Sequence, residues 1–211
     1  MTRRSPWIVV SMLSCLLAVT ASVDAASKLG GDIFLAMQSG DVKRAADVQV
    51  VVVPASPEFM NDWEQVQTAY EQEVAPVVRE YDDLQAQYKS LAPADTRDLR
   101  GSLQRNQLAI QLLNQMREVA HSRWVPIQDK YTKAAFDVIA KHTTTTTRTD
   151  VNGHFDIPSL PAGKYFVYAS YSVFRTLTYW MVPVDVQGES KISLSNSNGK
   201  HNSILRGRTY N

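Results

Sequence analysis

The chain has 211 residues, 44% of them hydrophobic and 20% charged, enough for one large domain or a medium domain with an elaboration. That composition excludes a wholly disordered chain. With 22 Lys and Arg against 21 Asp and Glu, the formal net charge of +1 supplies no basic field for nucleic acid. The single cysteine excludes an intrachain disulfide and a four-cysteine zinc site.

Arg3 and Arg4 precede an uncharged stretch from Ser5 to Val23, with an apolar centre from Trp7 to Val19. Val23-Asp24-Ala25 then offers short residues before Ala26. Positive, apolar, short is the order of a secretory signal peptide, expected over 1–25, with a periplasmic or secreted destination. Two alternatives stay open. The segment is just long enough to remain as an uncleaved membrane anchor. Cys15 is a lipidation candidate, although Met12-Leu13-Ser14 is a poor lipobox. After cleavage the mature chain has no cysteine and no stable membrane insertion. Its core alone must hold it, and no thiol nucleophile exists.

Residues 29–56 read as strand, turn, strand, the first β-hairpin of a sandwich. Asp32–Met37 is apolar, and Ser39-Gly40-Asp41 is turn chemistry. Val48–Val53 is β-branched and nearly continuous, as in a strand buried on both faces, and Pro54 and Pro57 end it.

Over 57–142 the period lengthens to alternating steps of three and four. The first run is Phe59, Trp63, Val66, Tyr70, Val77, Tyr81, Leu84, Tyr88 and Leu91. The second is Leu99, Leu103, Ile110, Leu113, Ala120, Trp124, Ile127, Tyr131, Ala134 and Val138. This is coiled-coil spacing. Ala92-Pro93-Ala94-Asp95 breaks the runs, which predicts an inserted antiparallel helical hairpin. Glu58–Leu91 carries eight acids and two bases, and Arg97–His142 eight bases and four acids, so the arms attract. A fold-back near Ala94 makes paired position numbers sum to about 188. Glu71 then meets Arg117, Glu64 meets Arg123, Glu58 meets Lys130, and Trp63 lies beside Trp124. Bends are expected near Pro76 and Pro126. Arm two's surplus, Tyr131–Ile139, should lie back on the β part.

From 143 to 195 strands return: Thr143–Thr149, His154–Ile157, Lys164–Ser172, Thr176–Val186 and Lys191–Leu194. Asn152-Gly153 is a strong hairpin signal. About seven strands in all predict a sandwich, hence an α+β chain, with a polar flexible tail over 196–211.

Thr149 to Ser170 reads TDVNGHFDIPSLPAGKYFVYAS. This resembles the carboxypeptidase regulatory-like domain, whose pattern T-D-x-N-G-x-F followed by L-P-x-G-x-Y is filled at every position. The resemblance implies a transthyretin-like β-sandwich, an accessory fold without peptidase activity. It covers about twenty-two residues and leaves the helical hairpin outside. Independently, Phe155, Ile157, Leu160, Tyr165, Val167 and Ala169 alternate into a core.

No catalytic constellation is present. His121, His142, His154 and His201 show no metal-ligand spacing and read as surface residues. Asp150 and Asn152 read as a turn rather than a calcium loop. No metal and no cofactor is expected, and the chain is not expected to be an enzyme. Two binding readings remain. In the first, the hairpin is an arm that contacts another envelope protein near its tip, through Tyr88, Leu91, Leu99 and Leu103. In the second, the outward aromatics Phe166, Tyr168, Tyr179 and Trp180 stack on carbohydrate. The bland alternative for those rings is that they pack beneath arm two.

Overall fold

The computed structural model describes residues 27–37, 39–91, 99–173, 176–201 and 204–205. The signal segment expected over 1–25, Cys15, the turn expected at Ala92–Asp95, and tail residues 206–211 lie outside that set. Three strands open the described chain: β1 (Ser27–Ala36), β2 (Val42–Arg44) and β3 (Gln49–Pro54). Helices α1 (Pro57–Ser90), α2 (Leu99–Val119) and α3 (Val125–His142) follow, with a π-turn at Ala120–Trp124 between the last two. The remaining strands are β4 (Thr145–Arg148), β5 (His154–Leu160), β6 (Gly163–Val173), β7 (Thr176–Val186), β8 (Glu189–Leu194) and β9 (Lys200–His201).

The strands form a two-sheet sandwich. One sheet has the order β4-β3-β6-β7-β9, antiparallel throughout. In the other, β1 is central, antiparallel to β2 and β5 and parallel to β8. Leu29, Ile33, Phe155, Ile157, Leu160, Tyr165, Val167, Ala169 and Trp180 fill the space between the sheets. The expected alternation into the core is therefore what is found. β3 is buried on both faces, as its Val run predicts. Val50 and Val52 face the second sheet, while Val51 and Val53 face the helices.

Four expectations about the strands differ from the structure. The first two strands do not make a hairpin, because β1 and β3 belong to different sheets. The Asn152-Gly153 turn also joins β4 to β5 across the sheets rather than within one. Turn chemistry specifies a chain reversal, not which sheet receives the next strand. The count is nine strands among the described residues rather than seven, since β2 and β9 are too short to show a pattern. β1 also starts at Ser27, ahead of the apolar run. Gly31 permits this, because a Cβ there would lie 2.7 Å from the Phe155 ring and 2.1 Å from the Ile192 carbonyl.

The helices sit on the outer face of the five-stranded sheet. Ser56 caps α1, accepting a hydrogen bond from the Phe59 N–H at 3.2 Å, and Pro57 occupies the first turn, where no N–H is needed. α1 continues unbroken through Pro76. In arm two the proline has a visible consequence. Pro126 cannot donate to the carbonyl four residues back, and the chain relieves this by widening into the π-turn just before it. Val125 N–H bonds the Ala120 carbonyl, five residues back.

The arms pair antiparallel, but not in the expected register. Arg123 pairs with Glu80 rather than Glu64, and Lys130 with Glu73 (2.6 Å) rather than Glu58. Trp124 meets Tyr81 at 5.6 Å instead of Trp63, which stacks on Phe59. The slide is about two heptads, so an apolar seam of that period cannot detect it. The base of the hairpin explains the choice. β3 and β4 are hydrogen-bonded neighbours, with Val52 opposite Thr145, so α1 leaves and α3 returns side by side. Asp62 accordingly bonds both Lys141 (2.6 Å) and His142 (2.8 Å). Registering the arms from that base puts the unmatched length of arm two at the tip, while Tyr131–Ile139 still lies on the sheet as expected, with Phe136 against Tyr168 and Tyr179. No sustained coiled-coil seam results: the buried side chains of α1 end at Val77, well short of Ser90.

Two expected outcomes test this account. Gly153 has φ +78°, and a Cβ would lie 2.7 Å from the Ile33 carbonyl oxygen, so Gly153→Ala should cost about 2 kcal/mol or more in a urea melt. A loss below about 0.5 kcal/mol would contradict the turn geometry. In a mature chain, Glu80→Cys with Arg123→Cys should be joined by a short bismaleimide, and Glu64→Cys with Arg123→Cys should not. The reverse result would restore the register counted from the tip.

Candidate functional site

The four aromatics singled out for stacking are all engaged in packing. Phe166 and Tyr168 point away from the inter-sheet core, as the alternation of β6 requires, and meet helices there. Phe166 packs against Phe59, ring centroids 5.5 Å apart. Tyr168 and Tyr179 both meet Phe136 of α3, at 5.9 and 6.0 Å. Trp180 faces the other way, fully buried between the sheets, its indole N–H donating to the Ser195 carbonyl at 2.8 Å. Phe166 and Tyr168 stay half-buried, and Phe166 borders a cleft of about 320 Å³ with Met60, Trp63 and Met181. The bland alternative describes this face better than a sugar platform does.

Burial has an electrostatic consequence. It pushes the Tyr168 hydroxyl up to about 12, a nearby Tyr179 adding to the effect and a hydrogen bond to Ser170 opposing it. Tyr179 is raised for the same leading reason. The ion pairs along the hairpin act in the other direction on their acids. Asp62 is lowered by its bonds to His142 and then Lys141. Glu73 is lowered by Lys130 and by the Tyr131 hydroxyl, which donates at 2.7 Å. His142, read from sequence as a surface residue, is thus part of the hairpin's base, edge-on to Phe59.

The distal hairpin is where apolar groups remain uncovered. Leu112 is the first buried side chain met along α2, followed by Met116 and Val119. The expected inward seam lies elsewhere on the helix: Leu103 is 64% exposed, Ile110 58% and Leu113 40%. Leu108 and Tyr88 are also exposed. On the base-set register, Ser90 at the end of α1 faces the neighbourhood of Leu113. The α2 segment before Leu113 therefore overhangs α1 by roughly 20 Å at 1.5 Å per residue. Of the expected contact residues, Tyr88 and Leu103 stand exposed, Leu91 is half-buried, and the Leu99 side chain lies outside the described residues. Sequence reasoning missed Leu108 and assigned Ile110 and Leu113 to an internal seam.

Among the described residues no group of His, Cys, Asp and Glu is arranged to hold a metal, and no helix is long and apolar enough to cross a membrane. One titration checks the packed face. Tyr168 should ionise only near pH 12 in the folded chain. The stability tied to its protonated, buried state is whole below the unfolded value of about 10 and is lost as pH rises through the folded one. Phe136→Ala should bring its tyrosinate absorbance to lower pH; an unchanged titration would mean that α3 does not cover it.

No family model and no curated protein matches the chain. Among solved structures, a candidate carbohydrate-binding protein from Pseudomonas aeruginosa is similar at 16% identity and TM-score 0.36, over 81% of this chain and 88% of that one. The pilus backbone protein RrgB of Streptococcus pneumoniae is similar at 12% identity and TM-score 0.25, over 80% of this chain and 41% of that one. The full-length major pilin RrgB gives 13% and 0.26, over 80% of this chain and 30% of that one.

Proposed function

We propose that this is an exported, non-enzymatic interaction protein whose helical hairpin contacts another protein of the cell envelope. The scaffold is a sandwich of the carboxypeptidase regulatory-like, transthyretin-like kind, a reading supported by the filled motif from Thr149 to Ser170. Export rests on the positive, apolar, short-residue order over 1–25. The observation that carries the arm is the distribution of exposed apolar side chains. Five of the eight exposed large hydrophobics, Tyr88, Leu103, Leu108, Ile110 and Leu113, lie on the distal hairpin. Leu103, Ile110 and Leu113 recur at heptad-compatible steps, so they present one apolar stripe to a partner helix or groove. Concentrated apolar exposure on a projecting element marks an interaction surface.

In-cell photo-cross-linking through a probe at Gln107 tests the reading. A discrete envelope-protein adduct should form with the wild-type chain and disappear in Leu103→Glu/Ile110→Glu/Leu113→Glu. Circular dichroism should show the variant still folded, because these side chains are already solvated. An adduct that persists in the folded variant would sink the arm as the contact element.

A further inference from the structure

Among the described residues, no helix packs on the outer face of the four-stranded sheet. A groove runs along β1 there, and it is independent of the hairpin. Its floor is Gly30, where a Cβ would have ordinary room, 3.5 Å from both the Asp156 carboxylate and the Phe155 carbonyl. Its walls come from β5 and β8, which flank β1 on either side. The groove has two lobes, of about 430 and 290 Å³, that share Asp32 and His154. The larger lobe is lined by Lys28, Asp156, Glu189, Lys191 and Ser193. The smaller is lined by Phe34, Val42, Arg44 and Asn152.

The groups at the junction are held in place. Asp32 accepts from Ser193 Oγ at 2.8 Å, and its other oxygen lies 3.3 Å from His154 Nδ1. The carboxylate stands between hydroxyl and imidazole. Ser193 therefore donates its proton to Asp32, and no Ser–His relay forms. Lys28 pairs with Asp156 at 3.3 Å on the floor's flank. Across both lobes, Lys28, Arg44 and Lys191 balance Asp32, Asp156 and Glu189, so the groove has no net charge to favour an anion or a cation. Donors and acceptors alternate along its length, and one end is apolar, formed by half-buried Phe34 and exposed Val42.

We propose that this groove binds an uncharged saccharide chain. Sugar hydroxyls donate and accept at each position, which suits alternating lysine, carboxylate, hydroxyl, imidazole and amide groups. The C–H face of a ring fits the Phe34–Val42 end. The proposal stands or falls apart from the hairpin reading, since no groove residue belongs to the helices.

The test is amide-shift titration of the full mature chain with cellotetraose, tetra-N-acetylchitotetraose and, as a charged comparison, tetragalacturonate. Either neutral probe should give saturable shifts at Gly30, Asn152 and His154. Gly30→Leu fills the floor, its Cβ at ordinary contact distance from the Asp156 carboxylate and the Phe155 carbonyl, and should weaken binding by about tenfold or more, with an unchanged melt. Asp32→Asn should weaken it by about fivefold. The proposal is overturned if neither neutral probe shifts these amides at about 5 mM. It is equally overturned if the shifts survive Gly30→Leu, or if tetragalacturonate alone binds.

Discussion

The antiparallel pairing of β3 with β4 is the constraint on which the helical part of this protein depends. The two strands are separated in sequence by the whole helical segment, yet Gln49–Val52 lies hydrogen-bonded to Thr145–Arg148. That ladder delivers the two ends of the hairpin to the sheet as neighbours. Asp62, Lys141, His142 and Phe59 then lock the base, and every later contact follows: Glu73 with Lys130, Tyr70 with Tyr131, Tyr81 with Trp124. Local ion pairs between exposed groups are individually weak. Here they follow a register that the sheet has already chosen.

Two consequences run in opposite directions from that base. Toward the sheet, α3 and the start of α1 cover the outer face of the five-stranded sheet. They bury Tyr179 in a second apolar cluster and leave Phe166 and Tyr168 half-buried against it. Toward the tip, the register carries α2 past the end of α1, and Leu103 and Ile110 are exposed there among the described residues. One face of the sandwich is therefore committed to the hairpin, and the other, around Gly30 and Asp32, is left open. The two candidate binding surfaces are separate because each sheet has one outer face.

The π-turn at Ala120–Trp124 mediates between these halves. It accommodates Pro126 and rotates the helix below it relative to the helix above. Ahead of it the buried residues are Leu112, Met116 and Val119; within it Ala120 and Trp124 are buried as expected; beyond it Ala135 and Ile139 are buried, with the expected Ile127, Tyr131 and Val138 packed partly buried beside them. A single repeat cannot describe both segments, which is why the heptad reading holds at Ala120 and Trp124 but names Leu113 where Leu112 is buried and Ala134 where Ala135 is.

Much of the local structure was legible from residues alone. Alternation at Phe155, Ile157, Tyr165, Val167 and Ala169, the doubly buried Val run of β3 and the two helical arms each depend on neighbours a few positions apart. Periodicity and turn chemistry report such neighbours directly. Tertiary structure alone decided what depends on distant partners: which sheet each strand joins, and the two-heptad slide between the arms. It also decided that the aromatic face of β6 and β7 is covered, and that Ser193 meets Asp32 across 161 positions to build the groove. A seven-residue pattern looks the same after a slide of two repeats, and an outward aromatic reads alike whether water or a helix lies above it. Only the closure of β3 onto β4 separates those cases.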